Sequence, residues 1–174
     1  DTTSAGEIAV FDGPNTSGAE RQDNVDTYAF GNLSASTSQT FTITNLTVPN
    51  LYISDIVIGG VNASSFTVSN KPSSSAPLTQ GATATFTVTA LLSGFGPQAA
   101  SIGILSNDTS EPNFDINVTS NVLDTIPPTI SSPATYLVGQ PNTFSMPLPD
   151  VRQIVVYNDN IASGYTITQT PAPG

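Results

Sequence analysis

The chain has 174 residues, with three basic against thirteen acidic side chains, a formal net charge of −10, and neither histidine nor cysteine. That balance argues against nucleic acid, whose phosphates need clustered Lys and Arg, and against an anionic membrane surface. It also removes disulfide frameworks and thiolate zinc sites, and no apolar run approaches the roughly 18 residues that span a bilayer.

Charged residues make up only 9%, so solubility rests on hydroxyls and amides. A Thr-rich, Lys-poor chain suits exposed β-sheet faces. Residues 1–6 are small and polar and read as a tether. Residues 7–11 (EIAVF) predict a short strand with Ile8 and Val10 on one face. Residues 12–26 read as a polar loop with Gly13-Pro14, Gly18 and several carboxylates. Strands follow at 28–30 and 38–46, where Phe41 and Ile43 alternate with Thr, so one face enters a core. In residues 51–58 (LYISDIVI), Leu51 and Ile53 share a phase, but Ile56 and Ile58 fall in the opposite one. Such a one-residue slip marks a β-bulge or a switch between sheets.

Gly59-Gly60 precedes a short strand at 65–69 around Phe66 and Val68, and residues 71–81 form a turn-rich loop. Residues 82–90 (ATATFTVTA) alternate cleanly, with Ala84, Phe86, Val88 and Ala90 inward. A corner at 91–97 leads to 98–106, which carries Ala100, Ile102 and Ile104 on one face. An acidic turn at 107–112 (NDTSEP) then opens a strand at 113–122 with Phe114, Ile116 and Val118. Short strands with frequent turn signals and no 3.6-residue period predict an all-β chain. The expected architecture is an immunoglobulin-like β-sandwich of about seven strands over residues 1–123, with a barrel as second choice.

Residues 124–128 (DTIPP) read as a Pro-stiffened linker. Beyond them prolines are dense, and strands are expected at 142–146, 153–157 and 164–169, with a weaker one at 136–138. Residues 129–174 are few for an independent sandwich, so they read as a partial or minimal second β-module. It would lean on the first module or be completed by a partner chain. The chain opens at Asp1 without a basic or apolar leader, as expected of a mature product or a piece of something longer.

An ordered set of segments carries a family resemblance. Phe30-Gly31-Asn32-Leu33, then QTFTITN at 39–45, LYISDI at 51–56, GGVNASSF at 59–66, GATATFTV at 81–88 and ILSNDTSEP at 104–112 resemble the bacterial choice-of-anchor D domain. That domain is similar to Hydin-type immunoglobulin-like modules. Residues 7–10 followed by an acidic loop match its usual opening, and the likeness spans residues 7–122. Ser120-Asn121 replace the Gly that usually closes the family's last strand. DTIPPTI at 124–130 resembles the opening of HYR-type adhesion repeats, although the Cys of many such repeats is missing. The resemblance implies a secreted or cell-surface protein of Bacteroidetes-like bacteria, built from tandem sandwiches that act as spacers, stalks and adhesive units. It brings no catalytic residues.

Without His or Cys, Ser-His-Asp and Cys-His devices cannot be assembled. Lys71 could serve a Ser-Lys pair or an isopeptide bond, but in an Asn-Lys-Pro turn it reads as a solvated cation. Paired carboxylates could hydrolyse glycosides, yet Trp is absent and they sit in turns. Calcium, which takes oxygen ligands from acidic turns, is the cofactor to consider, although none is required. The candidate ligands are Asn107, Asp108, Glu111 and Asp115. A second acidic group is Asp12, Glu20, Asp23 and Asp26, and Asp124 lies at the module junction. None matches a D-x-[DN]-x-[DN]-G loop, and turn-forming Asx residues explain the same pattern. Asn-x-Ser/Thr triplets at Asn15, Asn32, Asn45, Asn62, Asn107 and Asn117 are close to the number that composition alone generates. Thr2 and Thr125, in Asp-Thr-Thr and Asp-Thr-Ile, resemble O-glycosylation acceptors of Bacteroidetes exported proteins. Phe41, Phe66, Phe86 and Phe114 fall on inward phases and read as core.

These observations predict a non-enzymatic extracellular module of a bacterial surface protein, acting as a spacer or protein–protein interaction unit. The expected partners are neighbouring Ig-like modules, other copies of itself, or surface glycans. Nucleic acid and direct membrane insertion are not expected. One alternative is a filament subunit in which the C-terminal segment adds a strand to the next copy. Another is a carbohydrate-binding accessory module, which requires Tyr28, Tyr52, Tyr136, Tyr157 and Tyr165 to share one face.

Overall fold

Period-two alternation produces strands that lie in two sheets. In a computed structural model that describes residues 6–127, 129–131, 152 and 156–158, the chain divides into two units, Asp1–Leu123 and Asp124–Gly174. The first contains β1 (Ile8–Asp12), β2 (Glu20–Arg21), β3 (Thr27–Leu33), β4 (Thr37–Asn45), β5 (Ile53–Gly59), a 3-10 turn (Ala63–Ser65), β6 (Phe66–Ser69), β7 (Thr83–Ala90), β8 (Gly96–Ser106) and β9 (Asn113–Val122). One sheet has the order β2-β1-β4-β7-β6 and the other β3-β9-β8-β5. Neighbouring strands are antiparallel except β3 and β9, which run parallel. The result is an immunoglobulin-like β-sandwich.

The inward phases form a single core. Val10, Phe41, Ile43, Phe86 and Val88 come from the first sheet, and Ile56, Ile102, Ile104, Ile116 and Val118 from the second. Phe41 stacks on Phe86, its cross-strand partner, with centroids 5.4 Å apart. Phe66 and Phe114 are buried as well. Ala84 faces the core but is only partly buried. The phase slip in residues 51–58 is a register shift between Ile53 and Asp55, which keeps both Ile53 and Ile56 inside.

Two features depart from the sequence-based expectation. Residues 12–26 are not loop throughout, because β2 pairs Arg21 with Val10 and Glu20 with Phe11. The third strand extends to Leu33, with a register shift between Ala29 and Asn32 that Gly31 accommodates at φ +75°. A Cβ-bearing residue would resist that conformation.

The pairings define two poles. At the N-terminal pole, Ile8 lies opposite Asn45, Leu51 bridges Leu78, and the Ile8 amide reaches Asp108 in the turn between β8 and β9. At the C-terminal pole, Thr37 lies opposite Ala90, Gly96 opposite Val122, and the Leu123 amide donates to the Leu33 carbonyl. The chain therefore enters the sandwich at one pole and leaves it at the other.

In the second unit, β10 (Thr129–Ser131) pairs antiparallel with β11 (Val156–Asn158). The strands expected at 136–138, 142–146 and 164–169 lie outside the described residues, as does most of the one expected at 153–157.

Candidate functional site

The N-terminal pole concentrates the buried polar chemistry. Asn45, at the end of β4, is fully buried. Its Oδ1 accepts from the amides of Glu7 (3.1 Å) and Thr47 (3.2 Å), and its Nδ2 donates to the carbonyls of Pro49 (3.0 Å) and Leu78 (2.9 Å). Gly6 passes so close that a Cβ there would meet Leu51 Cβ at 2.8 Å and Asn45 Oδ1 at 2.9 Å. Asp108, only 2% exposed, completes the anchorage. Its Oδ2 accepts from the Ile8 amide (2.9 Å), while Oδ1 accepts from the Ser110 amide (2.9 Å), Ser110 Oγ (2.7 Å) and the Glu111 amide (3.2 Å). Burial pushes the Asp108 carboxyl up, but these hydrogen bonds outweigh it and hold the group below its ordinary value.

Glu7, Asp108 and Glu111 bring carboxylate oxygens within 4.8 Å of one another. Burial raises the Glu111 carboxyl above its ordinary value, and repulsion from Asp23, Asp108 and Glu7 raises it further. Beside the cluster runs an open groove of about 420 Å³, lined by Glu7, Ile8, Glu20, Asp23, Val25 and Phe114 among others. The three carboxylates have ligand types suited to a hard cation. However, Asp108 Oδ1 already receives three donors, so the arrangement works first as a hydrogen-bonded clamp on β1.

The fold separates the candidate ligands of the 107–115 stretch. Asp108 and Glu111 meet in the cluster. Asn107 faces residues 50–52, its Oδ1 accepting from the Tyr52 amide (2.7 Å) and its Nδ2 donating to the Asn50 carbonyl (3.2 Å). Asp115 is a strand residue that accepts from Ser101 Oγ (3.1 Å) and Asn113 Nδ2 (2.6 Å). The second acidic group divides as well. Asp12 takes both a hydrogen bond and an ion pair from Arg21, which keeps the guanidinium more firmly charged. Asp23 caps the Asp115 amide at 2.6 Å, and Asp26 accepts from the Gln22 amide at 2.9 Å. Asp124 accepts from the Ile126 amide.

Glu7 and Asn45 are the site residues that the sequence did not single out. Glu7 joins Asp108 and Glu111 only through tertiary folding, a hundred positions along the chain. Asn45 lies inside the strand expected at 38–46, and the signal for it is a polar amide that ends the alternating run of Phe41 and Ile43.

Lys71 pairs with Asp55 at 2.9 Å on the surface. Thr125 is exposed, whereas Thr2 lies outside the described residues. Tyr28 packs against Phe30 and Phe41 at 5.0 and 5.4 Å and donates to Gln39 Oε1. Tyr52 is exposed, while Tyr136, Tyr165 and the side chain of Tyr157 lie outside the described residues. No helix among the described residues is long and apolar enough to cross a membrane.

No family model and no curated protein sequence matches the chain. Among solved structures, a protein of unknown function from Porphyromonas gingivalis aligns at 15% identity with a TM-score of 0.52, covering 70% of this chain and 49% of that one. The ASH/PapD-like domain 7 of human CEP192 aligns at 14% identity and TM-score 0.42, covering 60% of this chain and 86% of that domain. The VesB protease of Vibrio cholerae aligns at 17% identity and TM-score 0.42, covering 56% of this chain and 30% of the protease. The first likeness shows the sandwich fold, and the two weaker ones carry no argument. This chain thus spans about half of the Porphyromonas protein. A two-sheet sandwich without histidine is compatible with a non-enzymatic module.

Proposed function

We propose that the first unit is a non-enzymatic extracellular spacer of a bacterial surface protein, joined in series with neighbouring modules. The observation that carries this reading is that β1 enters the first unit at one pole and β9 leaves it at the other. A β4 of nine residues extends about 30 Å, so each such module lengthens a chain instead of folding it back. Asn45 and Asp108 fix the first residues of the fold, and the Leu33–Leu123 hydrogen bond fixes the last. The direction of the chain is therefore held at both poles.

The sheet edges favour a spacer over strand addition to this unit. Edge strand β2 has two residues and β6 has four. Edge strands β3 and β5 each carry a register shift, and β5 also bears the Asp55–Lys71 ion pair. Short strands, bulges and charges are the devices that keep open edges from recruiting other strands.

The test is a surface display in which residues 1–123 are inserted once, twice and three times between a cell-surface anchor and a terminal epitope. The epitope should rise by about 30 Å per copy. An epitope height that does not change with copy number would overturn the spacer reading.

A further inference from the structure

We propose that the first unit is a shear clamp, built to resist tension applied along the chain, with its strength in the parallel seam between β3 and β9. The proposal rests on the serial reading above, since only a module loaded through its two ends experiences this force.

The clamp follows from strand direction. Tension draws the start of β1 away from the N-terminal pole and the end of β9 away from the C-terminal pole. β1 lies against β4 over five cross-strand pairs, from Ile8↔Asn45 to Asp12↔Phe41. Pulling β1 along its own axis loads those pairs together, and the Ile8–Asp108 and Glu7–Asn45 hydrogen bonds lie at the point where force enters. If β1 slips, residues 7–22 straighten and the load passes to the start of β3 and the loop residues just ahead of it. That strand runs parallel to β9, so its N-terminal end and the C-terminal end of β9 are pulled in opposite directions. Every hydrogen bond between them is then loaded at once, whereas a hairpin pulled from its open end fails one pair at a time.

The seam is longer than β3 itself. Ahead of the strand pairs Thr27↔Asn117, Tyr28↔Val118 and Ala29↔Thr119, the loop adds Asn24 N to Asp115 O (3.0 Å), Asn117 N to Asp26 O (3.1 Å) and Asp115 N to Asp23 Oδ1 (2.6 Å). Behind the bulge, Asn32↔Asn121 and Leu33↔Val122 continue it. An Asn121–Asn32 side-chain hydrogen bond (2.8 Å) and Leu123 N to Leu33 O (3.1 Å) close it. Residues 115–123 thus hold a joint about 30 Å long. On this reading the Asp23 carboxylate, which looked like a calcium candidate in the sequence, extends the seam upward.

Single-molecule pulling on the full chain tests the clamp. The chain has no cysteine, so introduced thiols give unambiguous attachment. One geometry pulls between an N-terminal handle and Leu123→Cys. The other pulls between Phe95→Cys and Leu123→Cys, exposed positions beside the Gly96↔Val122 pair, and so unzips β8 from β9. The expected rupture force is several-fold higher in the first geometry. Release of residues 7–22 adds about 55 Å of contour before the main event. Asp23→Ala should lower the longitudinal force and leave the unzipping force unchanged. Equal forces in the two geometries, or an equal proportional loss in both for Asp23→Ala, overturn the clamp. Either outcome leaves the spacer reading intact, because that reading is decided by length and not by force.

Discussion

Replacing Asp108 with alanine removes one acceptor that serves four donors. The two Ser110 donors and the Glu111 amide belong to a turn where water can replace the carboxylate, so their combined loss costs about 1 kcal/mol. The Ile8 amide is different. Its residue is 3% exposed, and losing the charged acceptor leaves a buried donor unsatisfied, at about 2 kcal/mol. The total is about 3 kcal/mol, a fall in melting temperature of roughly 10 °C for a unit of this size. Urea unfolding at neutral pH, followed by circular dichroism, reads the loss as a lower midpoint at unchanged slope. Asp108→Asn, which keeps one acceptor oxygen, should lose less. Glu111→Gln sits in the same turn, relieves repulsion and leaves Ile8 alone, so it should lose nothing. If Asp108→Ala changes stability by less than about 0.5 kcal/mol, the N-terminal clamp is not a clamp, because ordinary surface substitutions fall in that range.

The same turn sets an acid response with two opposing signs. Asp108 is depressed, so its contribution is full above the ordinary carboxylate range, about pH 4, and is lost as pH falls through its lower folded value. Glu111 is raised, so the fold gains stability as pH drops from neutral through its elevated folded value. Stability of the natural chain should rise slightly on mild acidification and fall below about pH 4, and Glu111→Gln should abolish the rise. Ser120 Oγ is buried without a hydrogen-bond partner. Ser120→Ala should therefore stabilise the unit by about 1 kcal/mol in thermal or urea melts, and a loss would show that the hydroxyl has a partner. A chelator should leave the melting temperature unchanged, because Asp108 is saturated by protein donors. A chelator-induced drop, restored by calcium, would instead make Glu7, Asp108 and Glu111 cation ligands.

How much could be read in advance depended on whether the information was local. Phe41 with Ile43, and Phe86 with Val88, declared their faces through period two, and that was enough to define the sandwich. The spacing of Ile53 and Ile56 disclosed the bulge, because two buried residues three apart cannot share a face of a regular strand. β2 was not legible, because Glu20 and Arg21 carry no hydrophobic phase and become a strand only through pairing with Val10 and Phe11. The site was legible in its residue types but not in its grouping. Acidic residues at 107–115 looked like one constellation because they are close in sequence. On the fold, Asn107 turns to Tyr52, Asp115 turns to the sheet face, and Glu7 arrives from the far end of the chain. Asn45 lies inside the expected strand as one more polar residue, and its buried amide acquires four partners only once β1, β4 and the loop before β7 meet.

Small-angle scattering of one, two and three copies of residues 1–123, joined through residues 124–128, measures whether these modules add length. If the chain enters at one pole and leaves at the other, the maximum dimension grows linearly, by about 30 to 40 Å per copy. Growth well below that, with particles that stay compact as copies are added, would mean that the modules fold back on one another and do not act as a spacer.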